Sequence, residues 1–138
     1  MVEPFGLLHR EAQRKVWELG WPELRPVQAA AVLHLMHGGG NMVISAATAS
    51  GKTEAAFLPV LSHIAEESRG SVRAMYVGPL KALINDQFTR VEALCERMDV
   101  PVCKWHGDAP DAAKKRLLKS PAGVLLITPE SLEAILIR

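Results

Sequence analysis

Ala46-Ala47-Thr48-Ala49-Ser50-Gly51-Lys52-Thr53 decides the reading of this chain. An apolar stretch, Met42-Val43-Ile44, precedes it and predicts a buried strand over about 42–45. A helical pattern follows, predicting a helix over about 52–67. Strand, tight turn, Gly-Lys-Thr and helix together make a phosphate-binding loop. Backbone N–H groups of the turn and the positive end of the helix dipole face the polyphosphate. Lys52 is placed to reach the β- and γ-phosphates as a flexible point charge. Thr53 offers its hydroxyl to Mg²⁺. Ala46 stands where strict loops carry their first Gly, and Ala49 where many carry another. Both departures argue against a kinase-like or GTPase-like loop and leave phosphate binding intact.

Outward from the loop, the chain alternates. Strands are expected at 72–77, 102–105 and 124–127. Helices are expected at 80–98, with Leu80, Leu83, Ile84, Val91, Leu94 and Met98 on one face, at 109–119 with Asp108 as N-cap, and at 130–137. Upstream, Leu8, Ala12, Val16 and Leu19 recur at helical spacing up to Gly20, and Pro26 opens a second helix that Gly38-Gly39-Gly40 stops. The fold class is therefore α/β, a parallel sheet with flanking helices and a helical N-terminal preface. The division is 1–40 for the preface and 41–138 for the nucleotide-binding part. In parallel sheets ligands bind beyond the carboxyl ends of the strands. The phosphate loop, Gly78-Pro79-Leu80-Lys81, His106-Gly107-Asp108 and Thr128-Pro129-Glu130 all follow strand ends, so four polar loops are expected on one rim.

Composition bounds the function. With 138 residues, 49% apolar and 22% charged, the chain has the size of one domain with a core. A net charge of +1 gives no bulk attraction for a polyanion, so a nucleic acid must be held by local groups. Two cysteines, Cys95 and Cys103, make no disulfide framework and read as free thiols of a cytoplasmic protein. The N-terminus does not read as a signal peptide, and no apolar run reaches membrane-span length.

Four segments resemble the superfamily 2 DEAD/DEAH-box helicases, in particular their Lhr-like and Ski2-like branches. Residues 46–53 resemble the family's first motif. Leu24-Arg25-Pro26-Val27-Gln28 resembles its adenine-recognition motif, Val77 to Leu83 its motif Ia, and Ile127 to Leu132 its motif Ib. The resemblance implies an ATP-binding site formed by Arg25, Gln28 and residues 46–53, with Lys52 and Thr53 serving hydrolysis. It also implies backbone contacts to a nucleic-acid strand through Pro79, Leu80, Lys81, Gly107, Thr128, Pro129 and Glu130.

Chemistry supports the individual roles. A Gln amide carries a donor and an acceptor, so Gln28 can pair with the adenine amino group and N7 together. Arg25 either stacks on the base or serves as a surface ion-pair partner. Phe5, Trp17 and Trp21 are either an aromatic wall against adenine or packing residues. Lys114-Lys115-Arg116 with Lys119 reads as a solvated helix face, and His106 as a structural histidine.

The family hydrolyses ATP with an acidic Asp-Glu motif, and no adjacent Asp-Glu pair occurs here. The resemblance therefore reads as the front half of a helicase motor, inactive alone. The acidic motif and arginine fingers would come from remaining helicase domains or a partner chain. Two alternatives stay open: a non-hydrolysing nucleotide- or nucleic-acid-binding module, and a small phosphotransferase.

Overall fold

The computed structural model describes residues 4–45 and 51–137. Residues 46–50 of the phosphate loop lie outside the described residues. The chain forms two compact units, one ending at Ala65 and the other beginning at Glu66.

The first unit is helical: α1 (Pro4–Leu7), α2 (Arg10–Glu18), α3 (Pro26–Met36) and α4 (Lys52–Ile64), followed by a 3₁₀ turn at Ala65–Glu67. The expected helix through Leu8 is broken at His9, which caps α2 by accepting from the Glu11 N–H at 3.1 Å. The His9 backbone N–H donates to Ser62 Oγ on α4 at 3.0 Å, and that hydroxyl donates onward to Leu58 O at 2.7 Å. Leu8, Ala12, Val16, Ala31, Val32, Ala55, Leu58 and Leu61 are buried. Leu19, expected on the apolar face, is 45% exposed because α2 ends one residue before it. Pro26 is the first residue of α3, as its preset φ favours.

No strand forms over 42–45, and Val43 is 93% exposed. A strand exists only through a ladder with a neighbour. The described sheet consists of three other strands, all within residues 72–127.

The second unit contains β1 (Val72–Val77), α5 (Lys81–Arg97), β2 (Val102–Trp105), α6 (Asp111–Lys119), β3 (Gly123–Ile127) and α7 (Pro129–Leu136). The sheet is parallel with order β1-β3-β2. Last in sequence, β3 is central in space and buried along its whole length. Leu125 and Ile127 join Trp105 in a core that Leu117, Leu132 and Ile135 cover. Val124 and Leu126 point to the opposite face by the two-residue period and are also buried. α5 packs against β2 and β3, burying Ile84, Gln87, Val91, Leu94 and Cys95.

Two helix starts differ from expectation. Leu80 is the N-cap of α5 and is 64% exposed, not part of its apolar face. α6 begins at Asp111 with Pro110 as N-cap, so Asp108 does not cap it. The residue before a proline is biased away from helical geometry, which excludes Ala109 from the helix and pushes its start past Pro110.

Candidate functional site

The expected nucleotide-binding residues that the structure describes lie where α3 and α4 begin. Gly51 sits at φ 86° as the N-cap of α4, a left-handed conformation that a side chain disfavours. A Cβ there would also strike Gln28 Nε2. Among the described residues no side chain of the N-cap position caps α4, and a helix start of this kind suits an anion. Lys52, in the first turn, is exposed and forms no ion pair among the described residues. A helix start of this kind, with a lysine and with the Thr53 hydroxyl one residue on, fits a phosphate group with its Mg²⁺.

Gln28 is fully buried. Its Oε1 accepts the Arg25 backbone N–H at 2.9 Å, which is the return half of a capping box. Its Nε2 donates to Gly51 O at 3.3 Å. The side chain read from sequence as a base reader therefore joins the start of the adenine motif to the start of the Gly-Lys-Thr helix. Arg25 is the exposed N-cap of α3. Phe5, Trp17 and Trp21 line one cavity of about 250 Å³ with Pro22, Leu24 and Ala29. The Phe5 and Trp17 rings lie 5.6 Å apart. Because Trp17 is 64% exposed, it is no core residue.

The second unit brings three strand-end turns together. Gly78 N–H donates to Ile127 O at 3.0 Å, and Thr128 N–H to Trp105 O at 3.3 Å. Pro79, Leu80, Lys81, Gly107, Thr128 and Glu130 line a single open hollow of about 700 Å³. Ala82, Ser131 and Ala134 complete its wall, while Pro129 is not among the lining residues. Of the four loops expected on one rim, these three meet; the fourth falls largely on residues 46–50.

Within the hollow, the Thr128 hydroxyl is engaged in capping α7. It accepts from Ser131 N–H at 3.4 Å and donates to Ser131 Oγ at 3.0 Å. Lys81 Nζ lies 3.0 Å from Asp108 Oδ2, and this bond holds the Asp108 carboxyl below the usual carboxylate range. His106 is buried and pins the turn. Its Nδ1 accepts from the Asp108 N–H at 3.2 Å, which leaves Nε2 as the donor to Asn85 Oδ1 at 3.1 Å. Burial, then Lys104, pushes the imidazole below its ordinary value.

Sequence reasoning named His106 as structural but missed Asn85 and misassigned Asp108. The signal was present: Asn85 follows Lys81 by four residues, so both share one face of α5. On α6, Lys115, Arg116 and Lys119 are exposed, while Lys114 lies over the Trp105 ring at 5.7 Å. The run is a solvated face with one stem packed.

A parallel sheet with flanking helices and strand-end loops of this kind is the architecture of the RecA-like domains of helicases. The profile of the DEAD/DEAH box helicases matches residues 25–138, and the chain belongs to that family. It is similar to the ATP-dependent helicase Lhr-Core of Methanothermobacter thermautotrophicus, 35% identical over 118 residues, which cover 74% of this chain and 14% of the relative. Lhr-Core of Saccharolobus solfataricus is 38% identical over 119 residues, 77% of this chain and 14% of the relative. The structure of Mycobacterium smegmatis helicase Lhr bound to ssDNA and AMP-PNP matches with a TM-score of 0.78 at 29% identity, covering 95% of this chain and 18% of that one. The chain thus spans about 14% of the length of these Lhr-Core relatives. No helix among the described residues is long and apolar enough to cross a membrane.

Proposed function

We propose that this chain is the ATP-binding front part of a cytoplasmic, ATP-dependent nucleic-acid helicase motor. One observation carries the reading of the strand site: three turns from three separate strands, two of them resembling helicase motifs Ia and Ib, line one hollow. In this reading Gly51, Lys52 and the N–H groups opening α4 hold the phosphates, together with residues 46–50. Thr53 supplies a hydroxyl to Mg²⁺, which neutralises phosphate charge when bound. Arg25 lies against the adenine, and Gln28 exchanges its bonds to the Arg25 N–H and Gly51 O for the base edge, with Phe5, Trp17 and Trp21 as the aromatic wall. Lys81, Gly107, Thr128 and the turn at Pro129-Glu130 take the sugar-phosphate backbone of a single strand without reading its sequence.

No adjacent Asp-Glu pair occurs in the 138 residues, so nothing here orients an attacking water. The chain alone binds without turnover. The acidic motif and arginine fingers are supplied by further helicase domains or by a partner chain. Titration calorimetry with ATP tests the nucleotide half. Lys52→Ala removes a charge-assisted bond worth roughly 1.5–3 kcal/mol, so affinity falls about ten- to a hundredfold. Unchanged affinity would refute the role of Lys52. Strand-stimulated ATP hydrolysis by the purified chain would overturn its assignment as a part without turnover.

A further inference from the structure

Lys81 and Asp108 come from the ends of different strands and meet at the hollow. Lys81 follows β1 and opens α5, whereas Asp108 follows β2. Their charged atoms are 3.0 Å apart and both side chains are largely exposed. Gly107 leaves the space beside them open, since a Cβ there would rest 3.6 Å from Lys81 Nζ. The carboxylate is not carried on a loose turn. Its backbone N–H is bonded to His106 Nδ1, and His106 is bonded to Asn85 on the same helix that bears Lys81. The lysine and its acceptor are therefore fixed to one frame.

We infer that Asp108 is an internal stand-in for a strand phosphate, holding Lys81 while the hollow is empty and giving it up when a nucleic-acid backbone enters. The inference rests on the reading of the hollow as a strand site. A carboxylate oxygen and a phosphate oxygen offer the ammonium group the same kind of acceptor, and the flexible Lys81 stem must swing its head away from Asp108 Oδ2 to reach a phosphate farther into the hollow. Asp108 thus sets the threshold for strand capture and restores the empty state on release.

Solvent-exposed ion pairs of this kind favour the closed over the open form by a ratio of roughly 1.4 to 5. A binding-competent fraction reduced in that proportion weakens apparent affinity by roughly two- to sixfold. The test measures anisotropy of a fluorescein-labelled oligothymidylate against the 138-residue chain at several salt concentrations. Asp108→Asn, which keeps the side chain's size, is expected to tighten binding roughly two- to sixfold. Lys81→Ala is expected to weaken binding and to lower the log-log salt slope by about 0.7. In the Lys81→Ala background Asp108→Asn should then have no effect.

Equal tightening in both backgrounds would make Asp108 a general repulsive charge and overturn the competition. An Asp108→Asn variant that binds no tighter, beside a weakened Lys81→Ala variant, would overturn it while leaving the strand site standing. A Lys81→Ala variant that binds normally would remove the strand reading itself. Because both side chains are exposed, thermal melts of the variants should match the parent and exclude misfolding.

Discussion

Replacing Gln28 by Ala tests the junction between the starts of α3 and α4 before any ligand is added. Three losses are expected. The Arg25 N–H, an orphan donor at the start of α3, loses its 2.9 Å acceptor; losses of this kind cost about 0.5–2 kcal/mol. Gly51 O loses a weaker donor at 3.3 Å but keeps the Ala55 N–H at 2.9 Å, so little more than about 0.5 kcal/mol is at stake there. The side chain is wholly buried, and its deleted methylene and amide leave a void costing about 1 kcal/mol or more. The sum is roughly 2–4 kcal/mol, which lowers the melting midpoint by roughly 6–15 °C in a chain of this size. Gln28→Met refills the void without restoring either bond and should recover part of the loss. Circular dichroism melts of the nucleotide-free chain supply the measurement. Identical midpoints for the parent and Gln28→Ala would refute the claim that this amide joins the two helix starts. The same pair of variants then reports on the base: both should lose preference for ATP over GTP in calorimetry while still binding phosphate.

Three further outcomes follow from the geometry. Gly123→Ala forces a side chain into the left-handed φ of 65° and against Pro101 O, the acceptor of the Val124 N–H. It should cost about 1–2 kcal/mol of backbone strain, with about 1–3 kcal/mol more for the displaced carbonyl, read from the urea midpoint. His106 has a folded-state value below its ordinary one, so the unfolded chain takes up the proton first. Its contribution to stability is complete above the unfolded pKa of about 6.5 and is lost as pH falls through the folded value. Denaturation between pH 7 and pH 5 should show this slope in the parent but not in His106→Asn. The Cys95 thiol is buried and pushed up to about 12 by desolvation and then by Glu92, whereas Cys103 is only half-buried. A thiol reagent at mild alkaline pH should therefore modify Cys103 first, with Cys95 reacting only as the chain unfolds.

The strands and helices of the second unit were legible because their signals are local. Val72 to Val77 and Val102 to Trp105 became strands over those residues, and Pro129 opened α7 one residue before the expected start. The failures share a cause in that each depended on a neighbour. Met42-Val43-Ile44 has the composition of a strand, but composition supplies no ladder partner. Asp108 has the chemistry of a cap, yet Pro110 displaced the helix and Lys81 took the carboxylate. Gln87 is a polar residue on the buried face of α5, which a hydrophobic pattern cannot assign. The three strand-end turns could be picked out one by one from sequence, but their meeting in a single hollow is a property of the β1-β3-β2 order, which local signals do not encode.

That order has a consequence for biosynthesis. Among the described residues β1 and β2 are not paired with each other; each is paired with β3. A nascent polypeptide that has emerged as far as Trp105 therefore carries two parallel segments with no mutual ladder to close. Neither can be zipped into a sheet until residues 123–127 leave the ribosome and slide between them. Sheet assembly is postponed to a single late event, and until then both segments stay exposed to chance pairing with other chains.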